Sequence, residues 1–354
     1  MPSTHPASDR PLPFRDRGSV EFAADDWTAR PNLRRLVRDM VQSSGGSLSL
    51  DRQTLRYDSG QALLRLIHGL QADLLPDERS GVRFRRVGEA PEPAWLLLAS
   101  LFEEVGGRSV SEYILHRSFT TYLQPIVQPS GRIVGYECLL RPLPEQAPYR
   151  PAELFAKARQ TGLHSFLDRQ ARQAAIRVSS AHLTPGVKRF VNFLPSSLYG
   201  DDAGVEDTFE AMRVTGTDPG DVVFEVVETE PLDHPDLPAV IDRCRREGIL
   251  LAVDDVGTGY ATAEAIDRLK PDYVKLDRRF VHRCESDAGK QRQIDELLGR
   301  ASRFNGVVLA EGVEREEERD YLRRAGVPLL QGYLFGPAAP VPAVEPAAFV
   351  PAGP

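Results

Sequence analysis

From Tyr122 to Gly336 the chain repeats one unit: a short apolar run rich in β-branched residues, then a segment of helix length with an amphipathic pattern. The strands fall on YLQPIV, RIVGYECLLR, RFVNFLP, DVVFEVVE, ILLAVDDVG, DYVKLD, GVVLAEGV and LLQGYLFG. Helical stretches between them cover 166–180, 237–247, 290–304 and 316–325. Eight strands interleaved with helices fit an α/β barrel. An open doubly wound sheet would want a Gly-rich phosphate loop after its first strand, and none is present. The segment QPSGR between the first two strands is too short for a parallel crossover, so those strands pair antiparallel. The expected fold is α/β: a modified TIM-like (β/α)8 barrel with an antiparallel first strand, preceded by a small α+β module.

Acidic or amide side chains stand where these strands end: Glu137, Asn192, Glu225, Asp254 with Asp255, and Glu311. Each follows an apolar run and precedes a turn signal, which places it at the strand's carboxyl end, where barrels keep their active sites. Oxygen donors of this kind suit Mg²⁺ or Mn²⁺; zinc would call for His or Cys, and the histidines lie outside these motifs. Adjacent aspartates at one strand end can serve a pair of ions, one bridging and its neighbour binding from the side. Two ions about 3.5 to 4 Å apart would activate a water and stabilise the leaving oxygen of an in-line displacement at phosphorus. Lys275 stands out in a chain whose cations are nearly all Arg, because a compact ammonium fits beside a small oxygen nucleophile where a forked guanidinium does not.

These motifs, in this order, resemble the signature of EAL domains, bacterial phosphodiesterases acting on cyclic di-GMP. The likeness runs from Gln124-Pro125-Ile126 and Glu137-Cys138-Leu139-Leu140-Arg141 through Asn192, Glu225 and Glu228, DDVGTGY, VKLD, AEGVE and QGYLFG, over the last two thirds of the chain. The resemblance implies hydrolysis of cyclic di-GMP to linear pGpG by two-metal activation of water, with two Mg²⁺ or Mn²⁺ ions per site. It implies Glu137, Asn192, Glu225, Asp254 and Asp255 as metal ligands, and Glu311 and Lys275 as the catalytic pair around the attacking water. Gln124, Leu139, Arg141 and Gln331 would contact substrate, and Glu228 would anchor the loop after Asp255. It further implies a homodimer. The alternative reading is a catalytically silent cyclic di-GMP receptor or an interaction adaptor; the complete ligand set speaks against it. Two positions depart from the family pattern. Cys138 replaces the signature's Ala, on a strand face pointing away from Glu137. Val256 replaces the Phe after the paired aspartates and reduces packing volume under the following loop.

With 354 residues and an apolar fraction of 41%, the chain can fill at least one large core beside a smaller module. A net charge of −7 gives no basis for binding a nucleic-acid polymer or an anionic membrane. The three cysteines, Cys138, Cys244 and Cys284, have neither disulfide nor metal spacing and read as buried thiols. The polar, Pro-rich start has no apolar h-region, and no apolar run is long enough to span a bilayer, consistent with a cytoplasmic protein. The expected organisation is a disordered arm over 1–30, an α+β module of open role over 31–106, the barrel over 107–342 and a Pro/Ala-rich tail over 343–354. In the module, Leu33, Leu36, Val37, Met40 and Val41 predict a helix stopped by Gly45-Gly46. SLSL and TLRY predict a hairpin, 61–75 a second helix and 93–105 a third.

Overall fold

The structure is a computed structural model and describes residues 13–88, 93–199, 202–227, 232–256 and 262–341. The expected tail over 343–354 lies outside them. Two compact units are present. The first runs through Phe119 and takes in Arg141–Ala171; the second holds Thr120–Leu140 and most of the chain from Arg172 on.

The first unit contains β1 (Gly18–Phe22), α1 (Ala24–Ala29), α2 (Pro31–Ser43), β2 (Leu48–Asp51), β3 (Thr54–Tyr57), α3 (Gly60–Asp73), α4 (Pro76–Arg79), β4 (Arg83–Val87) and β5 (Leu96–Leu97). Its sheet order is β2-β3-β1-β4-β5, so two split βαβ halves share β1 at the centre, with β5 added at one edge. One expectation is corrected here: the arm over 1–30 is not disordered over its second half. β1 alternates outward Ser19 and Glu21 with buried Val20 and Phe22, and Trp27 of α1 stacks on Phe22 with ring centroids 5.4 Å apart. Burying those three side chains outweighs the polar, Pro-rich character that precedes them. The helix expected over 93–105 is also replaced. LLLASLF forms β5 against β4 and then a short 3₁₀ turn over Leu98–Phe102, because Leu98 and Leu101 need only one turn to reach the core.

The strand pair β6 (Glu104–Val105) and β7 (Arg108–Ser109) leads into α5 (Val110–His116), α6 (Pro151–Thr161) and α7 (His164–His182). The module boundary expected at 106 therefore moves. Phe14 donates to the Gly162 carbonyl at 2.8 Å, Ser165 donates to the Phe14 carbonyl at 2.7 Å, and Asp16 pairs with Arg169 at 3.1 Å. These long-range bonds tie α6 and the start of α7 to the amino-terminal strand within one unit.

The second unit is a closed eight-strand barrel: β8 (Thr120–Val127), β9 (Ile133–Arg141), β10 (Lys188–Phe193), β11 (Val222–Val226), β12 (Leu250–Val256), β13 (Tyr273–Leu276), β14 (Val307–Ala310) and β15 (Leu329–Gln331). Strands β9 to β15 pair in parallel and β8 runs antiparallel to β15, as expected of the reversed first strand. The later connections carry α8 (Asp202–Thr215), α9 (Leu237–Arg246), α10 (Ala263–Leu269), α11 (Arg278–Val281), α12 (Ala288–Ser302) and α13 (Glu316–Ala325). Inside the barrel, Ile126, Phe190, Val223, Ala252, Leu309 and Leu329 form an apolar plug, with Tyr273 packed against it. The three cysteines are free and buried. Among the described residues no helix is long and apolar enough to cross a membrane.

Candidate active site

Side chains on a strand face the same way at every second residue, so the plug fixes what lies above it. Two residues past Phe190 is Asn192, past Val223 is Glu225, and past Ala252 is Asp254. Likewise Lys275 follows Tyr273, Glu311 follows Leu309, and Gln331 follows Leu329. On β9 the residue below Glu137 is Gly135, where a side chain would collide with Lys188 and Phe190. On the reversed β8, Gln124 comes two residues before Ile126 and reaches the same mouth. Every strand thus sends one polar side chain to a single level.

The centre of that level is the Lys275 ammonium. Its Nζ lies 2.6 Å from Glu311, 2.8 Å from Glu225, 2.9 Å from Asp254 and 3.6 Å from Glu137, with the side chain 1% exposed. Burial works against the charge on Lys275, but the four carboxylates outweigh it and hold its pKa well above the ordinary lysine value. Desolvation pushes Glu225 well above the usual carboxylate range; Glu137 and Asp254 add to this, against the pull of Lys275. Glu311 is raised in the same way, by desolvation and by Asp254 and Glu137, again opposed by Lys275. Glu137 is oriented by its neighbours, receiving a hydrogen bond from Gln331 Nε2 at 2.7 Å and one from Asn192 Nδ2 at 3.4 Å.

Glu225 Oε1 and Glu311 Oε1 rest against the Lys275 ammonium, while Glu225 Oε2 is buried with no hydrogen-bond partner. Buried acceptors of this kind are costly without a further partner. An oxygen-only donor set with an unpartnered buried carboxylate oxygen fits a hard divalent cation. Among the described residues no three Asp, Glu, His or Cys side chains are gathered as a ready-made metal-ligand group; the carboxylates converge on the ammonium instead. Asp254 sits where the register between β12 and β13 shifts, between Val253 and Val256, an irregularity that re-aims side chains beside a site.

A cleft of about 220 Å³ opens over this cluster, lined by Gln124, Glu137, Glu311 and Gln331 and rimmed by Asp277, Arg278, Glu314 and Tyr333. The sequence reading gave no role to those four rim residues. Period 2 would have found two of them, since Asp277 follows Lys275 and Tyr333 follows Gln331 by two positions. Leu139 and Arg141 continue β9 past Glu137 and are half-buried. The side chain of Asp255, and Glu228 altogether, lie outside the described residues. Val256 lines a separate pocket of about 160 Å³ with Ile266, Leu276, Phe280 and Leu297.

Residues 108–338 match the family model described as EAL domain. This chain belongs to the EAL-domain family. Its EAL barrel is 29% identical over 238 residues to the bifunctional diguanylate cyclase/cyclic di-GMP phosphodiesterase MucR of Pseudomonas aeruginosa, covering 65% of this chain and 34% of that protein. It is 27% identical over 237 residues to the cyclic di-GMP phosphodiesterase PdeL of Escherichia coli K12, covering 66% of each. The chain thus spans from a third to just under two thirds of these relatives. Among solved structures, the manganese/cy-diGMP complex of Klebsiella pneumoniae BlrP1 at pH 6 superposes with a TM-score of 0.58 at 29% identity, over 63% of this chain and 56% of that one.

Proposed function

We propose that this EAL chain hydrolyses cyclic di-GMP to linear pGpG, using two Mg²⁺ or Mn²⁺ ions held by Glu137, Asn192, Glu225, Asp254 and Asp255. The observation that carries the reading is the ring of strand-end carboxylates around Lys275, with the buried Glu225 Oε2 left without a hydrogen-bond partner. When bound, the ions supply Lewis acidity to the phosphoryl oxygens and make a water acidic enough to attack near neutral pH. Glu311 takes the proton of that water, a role suited to a carboxyl whose pKa burial raises well above the usual carboxylate range. Lys275 orients the water and offsets charge at the attacking oxygen. Gln331 and Asn192 fix the rotamer of Glu137, and Arg141 offers a forked donor to a phosphate, with Gln124 and Leu139 beside it. A water oxygen–phosphorus bond forms, one bridging phosphorus–oxygen bond breaks, and the departing 3′ oxygen takes up a proton, leaving pGpG.

Purified protein incubated with Mn²⁺ and cyclic di-GMP is expected to release pGpG, read by chromatography, and Glu137→Ala to lower the rate roughly a hundredfold or more. Tight binding in EDTA with no product under Mg²⁺ or Mn²⁺ would replace the enzyme by a receptor. The reading also includes a cytoplasmic homodimer, which light scattering tests as a particle of twice the chain mass.

A further inference from the structure

One buried carboxylate belongs to neither the barrel plug nor the ring around Lys275. Glu318, in the first turn of α13, is 0% exposed, although the side chains of the two acids before it, Glu316 and Glu317, are 59% and 60% exposed. A glutamate at the third helical position ordinarily closes a capping box at the surface by accepting the N–H of the capping residue. Glu318 does this for Arg315 at 3.1 Å and goes further. The same oxygen, Oε2, accepts from the Glu314 N–H at 3.0 Å, and Oε1 accepts from the Arg283 N–H at 2.9 Å. His282 Nδ1 lies 3.6 Å from Oε1.

The two segments it joins leave the strands that carry the catalytic pair. β13 ends one residue after Lys275, and its chain passes through α11 to Arg283; β14 ends at Ala310, immediately before Glu311. Arg283 is held at φ 55°, a left-handed conformation that a residue with a side chain disfavours, and it is this residue whose N–H reaches Glu318. From Glu311 to Arg315 the chain is neither strand nor helix, so its path rests on individual bonds. Glu311 donates to the Leu276 carbonyl at 3.0 Å and Val313 to the Gln331 carbonyl at 3.0 Å; the next two N–H groups go to Glu318. Arg315 adds a tie across the same gap, 2.9 Å from Glu285. The approach of Glu311 to Lys275, 2.6 Å away, therefore depends on where Glu318 holds the chain three and four residues further on.

We infer that Glu318 is a positioning residue for the Lys275–Glu311 pair, a buried carboxylate that clamps the segment after Glu311 to the segment after Lys275 and acts through the backbone. The inference rests on the phosphodiesterase reading above. A group that takes a proton from an attacking water must be held closely, and a misplacement of about 1 Å set up away from the chemistry lowers the rate about a hundredfold. Substrate binding does not draw on that alignment, so the loss falls on kcat and leaves KM nearly alone.

The test compares wild type with Glu318→Ala, Glu318→Asp and Glu318→Gln, and with Glu316→Ala as an exposed acid of the same helical turn. With Mn²⁺ and cyclic di-GMP, each protein assayed below its own melting transition, Glu318→Ala is expected to lower kcat about 10- to 100-fold with KM within about twofold. Amide exchange at Glu314 and Arg315 should quicken in the same variant. Glu318→Asp keeps the charge but withdraws both oxygens by one methylene; it is the variant to read should alanine not fold, and its kcat is expected to fall in the same direction. Glu318→Gln retains an acceptor for Glu314 and Arg315 and should return most of kcat, while Glu316→Ala keeps wild-type kinetics. Affinity for cyclic di-GMP in EDTA, which reads binding without turnover, should stay within about twofold across the set. An unchanged kcat in Glu318→Ala and Glu318→Asp overturns the inference, as does a glutamine variant no faster than alanine or a loss carried by KM and affinity in place of kcat. A wild type that binds cyclic di-GMP without turnover ends the phosphodiesterase reading and this inference with it.

Discussion

The barrel mouth and the amino-terminal sheet handle charge in opposite ways. On the sheet, ions pair near the surface: Arg83 with Asp26 at 3.0 Å and Arg85 with Glu21 at 2.9 Å. In the barrel, four carboxylates share one buried ammonium, and two of them carry raised pKa values. Exposed pairs of the first kind contribute about 0 to 1 kcal/mol and need no ligand. The second arrangement gathers four carboxyl groups around a single cation where water is excluded, a cost that folding alone gives no reason to bear. On the sheet each of those carboxylates has a cation beside it; at the barrel mouth four carboxyl groups crowd one.

The sharpest way to break this contrast is Lys275→Met. Removing the ammonium from a buried cluster should cost about 3 to 5 kcal/mol in EDTA, seen as a lower melting temperature, and should abolish turnover; Mn²⁺ should recover part of the lost stability. A variant that melts like wild type in EDTA would show that the carboxylates are not held by Lys275. Next in size is the response to pH. Raised pKa values mean Glu225 and Glu311 retain protons to higher pH than ordinary carboxylates, and an incoming cation must expel them. The apparent Mn²⁺ affinity should therefore strengthen with rising pH above the ordinary carboxylate range, by up to about tenfold per unit for each proton displaced. Glu311→Gln should flatten that slope, and titration calorimetry over a pH series measures both. Smallest of all is Arg83→Ala, which opens a surface pair and should shift stability by less than about 1 kcal/mol with unchanged turnover; a larger loss would mean the sheet's charges are not merely paired.

The barrel was legible in the sequence because its strands are buried on both faces and its polar residues obey the same alternation as the plug beneath them. Glu225 could be placed from VFE alone: an acid two residues after the buried Val223 must point into the same interior. The reversed β8 followed from a connection too short to cross over. The amino-terminal unit resisted the same approach for physical reasons. β1 is five residues long and takes its meaning from partners far along the chain, Ser19 facing Arg56 on one side and Val87 on the other. The run LLLASLF satisfies a helical pattern as well as the strand and turn it adopts, and only the pairing of Leu97 with Arg83 decides between them. Nothing local announces that Phe14 will bond across to Gly162, so the limits of the first unit could not be read from composition. In the site, the rim residues Asp277 and Tyr333 carry a signal only in their period-2 spacing from Lys275 and Gln331.

The reversed β8 also decides where the barrel can be handled without disturbing it. Because β8 descends from the mouth and β9 climbs back to it, their connecting turn, closed by Gln128 N–H donating to the Arg132 carbonyl at 2.8 Å, lies at the barrel's opposite end. A fluorophore or an affinity tag spliced into that hairpin would report on the barrel from its floor, leaving the entrance open to whatever it admits.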